Sequence, residues 1–232
     1  MTDSQVTAFA QIIAETSKVA MINLMMDGEF HTVNELARSA KIKPHTASYH
    51  VKNMKELGLL TMEKHGRFHY YQLANQEFAQ FFEAIGAVTE VTPVRYLSQR
   101  EEAKKMIEGR TCYDHLAGQL GVNVTQYLLD KDYLSYVDQD VYLTIQGEKF
   151  LMSEGINVEE LRKQKRQFCR MCLDWSERKH HVAGSVGHAL FHLFLRNQWI
   201  VKSEKSRAVL LTNKGIEEIK QKWTLDLNIK GS

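Results

Sequence analysis

The chain has 232 residues, of which 44% are hydrophobic, and a formal net charge of +2. This length suits roughly two globular domains. The near balance of charge excludes a uniformly basic nucleic-acid binder, so any basic surface has to be local. Three cysteines and no apolar N-terminal leader lead us to expect a cytoplasmic protein rather than a secreted disulfide scaffold. No apolar run reaches the roughly 20 residues of a transmembrane helix, so we expect no membrane partner.

The N-terminal part predicts a series of short helices. Residues 7–20 and the stretch that follows them show helical periodicity up to Asp27 and Gly28, which end it. Thr32 and Glu35 then have the spacing of a capping box, so a short helix is predicted over residues 33–40.

A second helix of the same motif is predicted over residues 44–57. Pro44 suits its first turn, because proline lacks an N–H group that would be unpaired there. The residues expected to be buried at helical spacing are Ala47, Val51 and Met54. The opposite faces carry donors for phosphates and base edges, and the residues expected to contact DNA are Lys43, His45, Thr46, Ser48, Tyr49, His50, Lys52, Asn53 and Lys55.

A charged hairpin follows the helix pair. Residues 59–64 and 68–73 are predicted as strands joined around Gly66, and the side chains expected to contact DNA are Lys64, His65, Arg67 and His69. Residues 41–71 contain six lysines or arginines against two glutamates, a local net charge of +4. A supported helix fits the DNA major groove, and a basic hairpin beside it can reach the backbone or the minor groove. Double-stranded DNA is therefore the expected partner.

The helix predicted over residues 75–85 carries an aromatic stripe. Phe78, Phe81, Phe82 and Ile85 recur at helical spacing and need a surface to pack against. Residues 88–94 are β-branched, polar and interrupted by a proline, and they are the best linker candidate. We therefore divide the chain into a winged helix-turn-helix domain at 1–90 and a second domain at 95–232.

The second domain contains an internal repeat, at about 112–155 and 178–224. The segment from His115 to Gly121 recurs from His181 to Gly187 at an offset of 66 residues. Each copy predicts a glycine-containing helix, a hairpin and a closing helix, so the fold class is mainly α with short β-hairpins (α+β), the C-terminal domain being two winged-helix-like repeats. The copies are either a purely structural pair or a pair whose seam forms a cleft.

Several residues of the second domain are candidates for binding a ligand or metal, or for redox chemistry. A Cys-x-x-His and a Cys-x-x-Cys pattern together offer four ligands of the kind that zinc uses, and Trp175 could line an apolar pocket. His181 is also expected to share a helix with His188 and His192. The candidates are Cys112, His115, Cys169, Cys172, His181 and Trp175. Buried structural cysteines are the alternative, so a metal ion or small-molecule effector is left open.

The first 90 residues resemble the ArsR/SmtB family of winged-helix repressors. The resemblance is carried by Glu35-Leu-Ala, Thr46-Ala-Ser-Tyr-His-Val, Leu57-Gly-Leu-Leu and Gly66-Arg-Phe-His-Tyr-Tyr. The second half is similar to the extension of a long subgroup of that family, through the segments that begin at Cys112 and Cys172.

The resemblance implies a homodimer and transcriptional repression relieved by a signal. The implied dimer surface combines the first helix with the helix after the wing, and its residues are Phe9, Ile13, Phe78, Phe81 and Phe82. The family's usual metal sites do not carry over, because the helix at 33–40 has no cysteine and the helix at 75–85 has no histidine.

Three functions are compared on these patterns. The first is a homodimeric, sequence-specific DNA-binding repressor whose C-terminal domain receives the signal. The alternative is a winged-helix protein-interaction module that does not bind DNA, against which the basic recognition face argues. An enzyme is not expected, because Cys112 with His115 is the one nucleophile and base pair in view and lacks an orienting third group.

Overall fold

The computed structural model describes residues 3–88, 97–138, 140–203 and 206–227. The chain divides into two compact units. The first ends at Phe82 and includes the short stretch that ends at Arg207, and the second begins at Glu83 and resumes at Ala208. Beyond Val88, the predicted linker lies outside the described residues. In the described part of the chain, no helix has both the length and the apolar character needed to cross a membrane.

The first unit is a winged helix-turn-helix. Its elements are α1 (Asp3–Ile13), α2 (Thr16–Met25), β1 (His31–Thr32), α3 (Val33–Ala40), α4 (Pro44–Glu56), β2 (Leu60–His65), β3 (Phe68–Leu73) and the start of α5 (Gln76–Val88). The strands form one antiparallel sheet in the order β1-β3-β2. The predicted order of helix, turn, helix and hairpin is confirmed.

Local side chains fix the start of both helices of the motif. The Glu35 N–H donates to Thr32 Oγ1 at 3.3 Å, and the Thr32 N–H donates to the Glu35 carboxylate at 2.7 Å, which is the predicted capping box of α3. Pro44 lies in the first turn of α4, as predicted. Between β2 and β3, Gly66 has φ +61°, a conformation that favours glycine and makes the tight turn of the wing.

The second unit is built from helices and four two-stranded hairpins. Its elements are α6 (Leu97–Glu108), β4 (Arg110–Cys112), β5 (His115–Ala117), α7 (Gly118–Asp130), β6 (Leu134–Val137), β7 (Asp140–Leu143), α8 (Ile145–Ser153), α9 (Val158–Arg162), β8 (Arg170–Leu173), β9 (His180–Ala183), α10 (Gly184–Arg196), β10 (Ile200–Lys202), β11 (Val209–Leu211) and α11 (Asn213–Trp223).

The predicted repeat is present in the second unit. In each copy a helix, α7 or α10, is followed by a hairpin and by a closing helix, α8 or α11. The closing helices begin with equivalent caps, because the Thr144 side chain accepts the Gly147 N–H and the Thr212 side chain accepts the Gly215 N–H. Each copy also has a hairpin in front of its first helix. The second of these starts at Arg170, earlier than the boundary at 178 that the sequence suggested.

The two copies share one aromatic core. Trp223 of α11 stacks on Tyr127 of α7 with ring centroids 5.5 Å apart, and it meets Trp199 edge to face at 5.4 Å. Both indole N–H groups are satisfied, by Glu218 for Trp199 and by Glu154 for Trp223, each at 2.9 Å. Such ring pairs add about 0.5–1.5 kcal/mol each beyond the area they bury. The repeats therefore form one folded body.

Candidate functional site

The exposed face of α4 carries most of the predicted DNA contacts. Ala47, Val51 and Met54 are buried, at 2% exposure or less, as their spacing predicted. The side chains exposed at the helix start and on its outer face are Lys43, His45, Ser48, Tyr49, Lys52 and Lys55, with Thr46 and Asn53 half-buried. This arrangement presents cations, hydroxyls and an amide on one side of a helix.

His50 requires a correction, because it belongs to the buried side of α4. It is 4% exposed, and its Nε2 lies 2.9 Å from Glu15 Oε1 and 3.2 Å from Ser17 Oγ. A hydrogen bond from Lys18, helped by Ser17 and His50, lowers the pKa of Glu15 below its ordinary value. His50 therefore connects α4 to the start of α2 and is not available for DNA.

The wing presents its polar side chains to solvent. Lys64, His65, Arg67 and His69 are all exposed. The Arg67 guanidinium lies 5.2 Å from the ring centroid of Phe68, and His65 Nε2 lies 3.1 Å from Glu63 Oε2. The wing thus offers a cation held over an aromatic ring close to its turn.

The aromatic residues of α1 and α5 form a cluster on the first unit. Phe9 contacts both Phe78 and Phe81, with ring centroids 5.8 and 5.3 Å apart. Phe81 is 50% exposed, whereas Phe78 is 7% exposed and packs inside its own chain. Ile13 and Phe82 are half-buried. Of the five residues predicted to contact a partner subunit, Phe78 therefore supports this surface from below.

Four ligand-type side chains meet in the interior of the second unit. The ligand atoms of Cys112, His115, Cys172 and His181 all lie within 4.8 Å of one another, and all four residues are buried. Cys112 pairs directly with His115 across the β4–β5 hairpin, and Cys172 pairs directly with His181 across β8–β9. Each hairpin thus contributes one thiol and one imidazole.

The two Cys–His pairs occupy equivalent positions of the repeat. His115 and His181 are 66 residues apart, and Cys112 and Cys172 are 60 apart, the difference being a longer connection in the second hairpin. The helices that follow interlock across the pair. A Cβ on Gly121 would lie 3.6 Å from His181 Cβ, and one on Gly187 would lie 3.3 Å from His115 Cβ. The cluster therefore lies on the pseudo-twofold seam of the two repeats.

Each imidazole faces a carboxylate through its Nδ1 atom. Asp114 Oδ1 lies 3.2 Å from His115 Nδ1, and Asp174 Oδ2 lies 3.3 Å from His181 Nδ1. Both acids stand two residues after a cluster cysteine. Burial raises the pKa of Asp114, but His115, His188 and Arg166 outweigh burial and hold that pKa well below its usual range. The same balance lowers the pKa of Asp174, through His181 and the Arg110 charge.

The cluster favours a thiolate on one of its cysteines. The Cys112 side chain hydrogen-bonds Cys172 with 3.8 Å between the sulfurs. That bond, with the neighbouring imidazoles of His115 and His181, outweighs burial and lowers the pKa of Cys172 well below its usual range. The same surroundings raise the pKa of His181 against the opposing effect of burial. The site therefore stabilises charge separation between sulfur and imidazole.

Two residues predicted for this site lie apart from the four-residue cluster. Burial raises the pKa of the Cys169 thiol to about 12. Cys169 precedes strand β8, and residues three apart along an extended chain are about 10 Å apart and point to opposite faces, so it cannot join Cys172. The ring of Trp175 packs under the Arg110 guanidinium at 4.4 Å. His181 lies in β9, not on the helix of His188 and His192.

The buried carboxylates and Arg110 were missed at the level of sequence. Arg110 is fully buried, with its Nη2 2.9 Å from Asp174 Oδ2 and its Nε 3.4 Å from Glu83 Oε1. The Gly118 N–H also donates to Asp174, at 2.7 Å. The available signal was the recurrence of Cys-x-Asp at an offset of 60 residues, which the offset of 66 concealed.

Comparison with known proteins agrees with the architecture of the first unit. Residues 16–61 match the family model described as bacterial regulatory protein, arsR family. The uncharacterized HTH-type transcriptional regulator YdfF of Bacillus subtilis (strain 168) is 39% identical over 210 residues, which cover 90% of this chain and 93% of that protein.

Solved structures were also compared. Fragment 1–100 of Mb0332 from Mycobacterium bovis, a homodimeric winged helix-turn-helix domain, is 20% identical and covers 38% of this chain and 86% of that one, with a TM-score of 0.34. The cadmium sensor CMTR of Mycobacterium tuberculosis is 17% identical and covers 39% and 98%, with a TM-score of 0.29. The family model and the full-length relative are decisive: the chain belongs to the ArsR family and is a transcriptional regulator with an ArsR-type DNA-binding helix-turn-helix.

Proposed function

We propose that this regulator is a sequence-specific repressor that binds its operator as a homodimer and leaves it when the C-terminal unit receives a signal. The observation that carries the proposal is the exposed polar face of α4 beside a basic wing. Phosphate contacts hold such a protein in register on the duplex, and base-edge contacts from the helix supply the sequence preference. Lys52 and Arg67 are assigned to phosphates, and Ser48 and Tyr49 to the bases.

The DNA-binding part is tested by separating these two kinds of contact. We expect Arg67→Ala to weaken binding to every sequence and to reduce the salt slope of log K by about 1, because one phosphate contact is lost. Tyr49→Ala should instead change which duplexes are enriched from a random pool. Binding titrations over a range of salt concentrations provide the slopes, and Lys149→Ala, an exposed lysine of α8, is the matched control.

Two results would contradict the proposal. Equal loss for Arg67→Ala and Lys149→Ala would remove the wing from the interface. Failure of the unmodified protein to enrich any duplex, with no salt dependence of binding, would favour the protein-interaction module instead.

The homodimer is supported by the apolar surface of α1 and α5. Phe81 is half exposed and rests on Phe9, and Val6 is 45% exposed on the same helix as Phe9. Large exposed apolar side chains grouped in this way are typical of an interface. Two copies joined there would present two recognition helices to the two halves of a symmetric operator.

The dimer is tested by placing a charge in that surface. We expect Phe81→Asp to halve the mass measured by light scattering at micromolar concentration, because an unpaired carboxylate cannot be buried against a second copy. Tyr142→Asp, an exposed aromatic of β7 at 42%, should leave the mass unchanged. A dimer that persists in Phe81→Asp with unchanged stability would place the interface elsewhere.

A further inference from the structure

The buried Cys–His cluster has the donor set of a metal site that the DNA-binding function does not require. We propose that Cys112, His115, Cys172 and His181 bind one Zn²⁺ ion, which joins the two repeats of the C-terminal unit. Two thiolates and two imidazoles are a common ligand set of structural zinc. The inference does not rest on the proposed repressor function, because every group that it uses lies in the second unit.

The spacing of the sulfur atoms fits this ion. The Cys112 and Cys172 Sγ atoms are 3.8 Å apart. With Zn–S bonds of about 2.3 Å, tetrahedral coordination places two sulfurs about 3.8 Å apart. A disulfide would need about 2.05 Å. The four ligand atoms all lie within 4.8 Å of one another, so they surround a volume of the size of one coordinated cation.

The histidines are oriented as zinc ligands. Their Nδ1 atoms face Asp114 and Asp174, which fixes Nδ1 as the protonated nitrogen and leaves Nε2 as a donor to metal. Among the described residues, neither His115 Nε2 nor His181 Nε2 has a hydrogen-bond partner, although both atoms are buried. An unsatisfied buried nitrogen costs about 1–3 kcal/mol. A metal bond at each Nε2 removes that cost.

The charges around the cluster balance a divalent cation. Two thiolates neutralise Zn²⁺, and the outer carboxylates are themselves compensated, since Arg166 pairs with Asp114 and Arg110 pairs with Asp174. This arrangement is repeated in both halves, with Cys-x-Asp on one strand and histidine on the next. Duplication of ligands together with their carboxylates is expected of a functional centre and is not needed for packing alone.

Coordination by four protein side chains has a mechanical consequence. A closed tetrahedral site leaves no position for a substrate or an activated water, so the ion acts on structure and not in catalysis. Because β4–β5 and β8–β9 each supply two ligands, the ion cross-links segments that are about 60 residues apart in the chain. Loss of the ion, or oxidation of the thiols, would loosen that link.

The experiment titrates the reduced, chelator-treated full chain with Zn²⁺ or Co²⁺. We expect one ion per chain, and the Co²⁺ form should show the intense visible absorption and thiolate charge-transfer band of tetrahedral coordination. Cys112→Ser and Cys172→Ser should each lose that spectrum. Cys169→Ser, the matched control, should keep both the spectrum and the stoichiometry. Asp114→Asn and Asp174→Asn should each weaken Zn²⁺ binding about 10–100-fold while retaining the four ligands.

Two outcomes would overturn the proposal. One is a reduced, folded wild-type protein that takes up no stoichiometric Co²⁺ or that binds it without thiolate bands. The other is a Cys169→Ser variant that loses the ion as Cys172→Ser does. The wild-type titration decides the question even if a cysteine variant fails to fold, and DNA binding enters neither result.

Discussion

Arg110→Ala should lower the free energy of unfolding of the C-terminal unit by about 3–5 kcal/mol, because it leaves buried acids without their counter-charge. The Arg110 side chain is fully buried and lies 2.9 Å from Asp174 and 3.4 Å from Glu83. It also donates to Met106 O at 3.0 Å and to Ser176 Oγ at 3.1 Å. Truncation therefore removes a whole set of contacts from the interior.

This loss can be measured on the intact chain. All three tryptophans, Trp175, Trp199 and Trp223, belong to the second unit, so tryptophan fluorescence during urea unfolding reports on that unit. Arg162→Ala is the control: its guanidinium pairs with Glu148 and packs on Phe168 but is exposed, and such a surface pair contributes about 1 kcal/mol or less.

A second substitution separates charge from packing. If the uncompensated acid is the cause, Asp174→Asn should cost less in the Arg110→Ala background than in the native protein. Strictly additive effects of the two changes, or a loss for Arg110→Ala no larger than for Arg162→Ala, would contradict this account.

Gly187→Ala should also destabilise the second unit, by about 1–3 kcal/mol as for other overpacked sites. In an open helix the same change stabilises by about 1 kcal/mol, since glycine is a poor helix former. Here an added Cβ would lie 2.5 Å from Val182 O and 3.3 Å from His115 Cβ. The backbone oxygen cannot move without shifting β9, so the clash outweighs helix propensity.

The equivalent glycine and a looser one complete this test. Gly121→Ala should behave like Gly187→Ala, because its Cβ would lie 2.4 Å from Leu116 O. Gly86→Ala should cost less, since its nearest neighbours are side-chain atoms of Trp175 at 3.3 Å. Urea unfolding followed by fluorescence ranks the three variants. A stabilising effect of Gly187→Ala would show that the two repeats are not packed through this glycine.

Local signals in the sequence predicted local structure well. The capping box of Thr32 and Glu35, the position of Pro44 and the turn at Gly66 are each formed by residues a few positions apart, so no tertiary contact is needed to identify them. The repeat predicted the helix, hairpin and helix of both copies for the same reason. Even the burial of His50 was available, because it lies three residues after Ala47 and four before Met54.

The sequence by itself determined that this protein has a winged helix-turn-helix with a basic face and a duplicated second half containing cysteine and histidine. Only the tertiary structure decided which of these side chains meet. Spacing along the chain favoured Cys169 beside Cys172, but an extended strand turns such neighbours apart. Pairing between strands instead brings His181 to Cys172, and packing of one repeat on the other brings Cys112 and His115 to both. Contacts of this kind depend on the three-dimensional path of the backbone, which no short sequence pattern encodes.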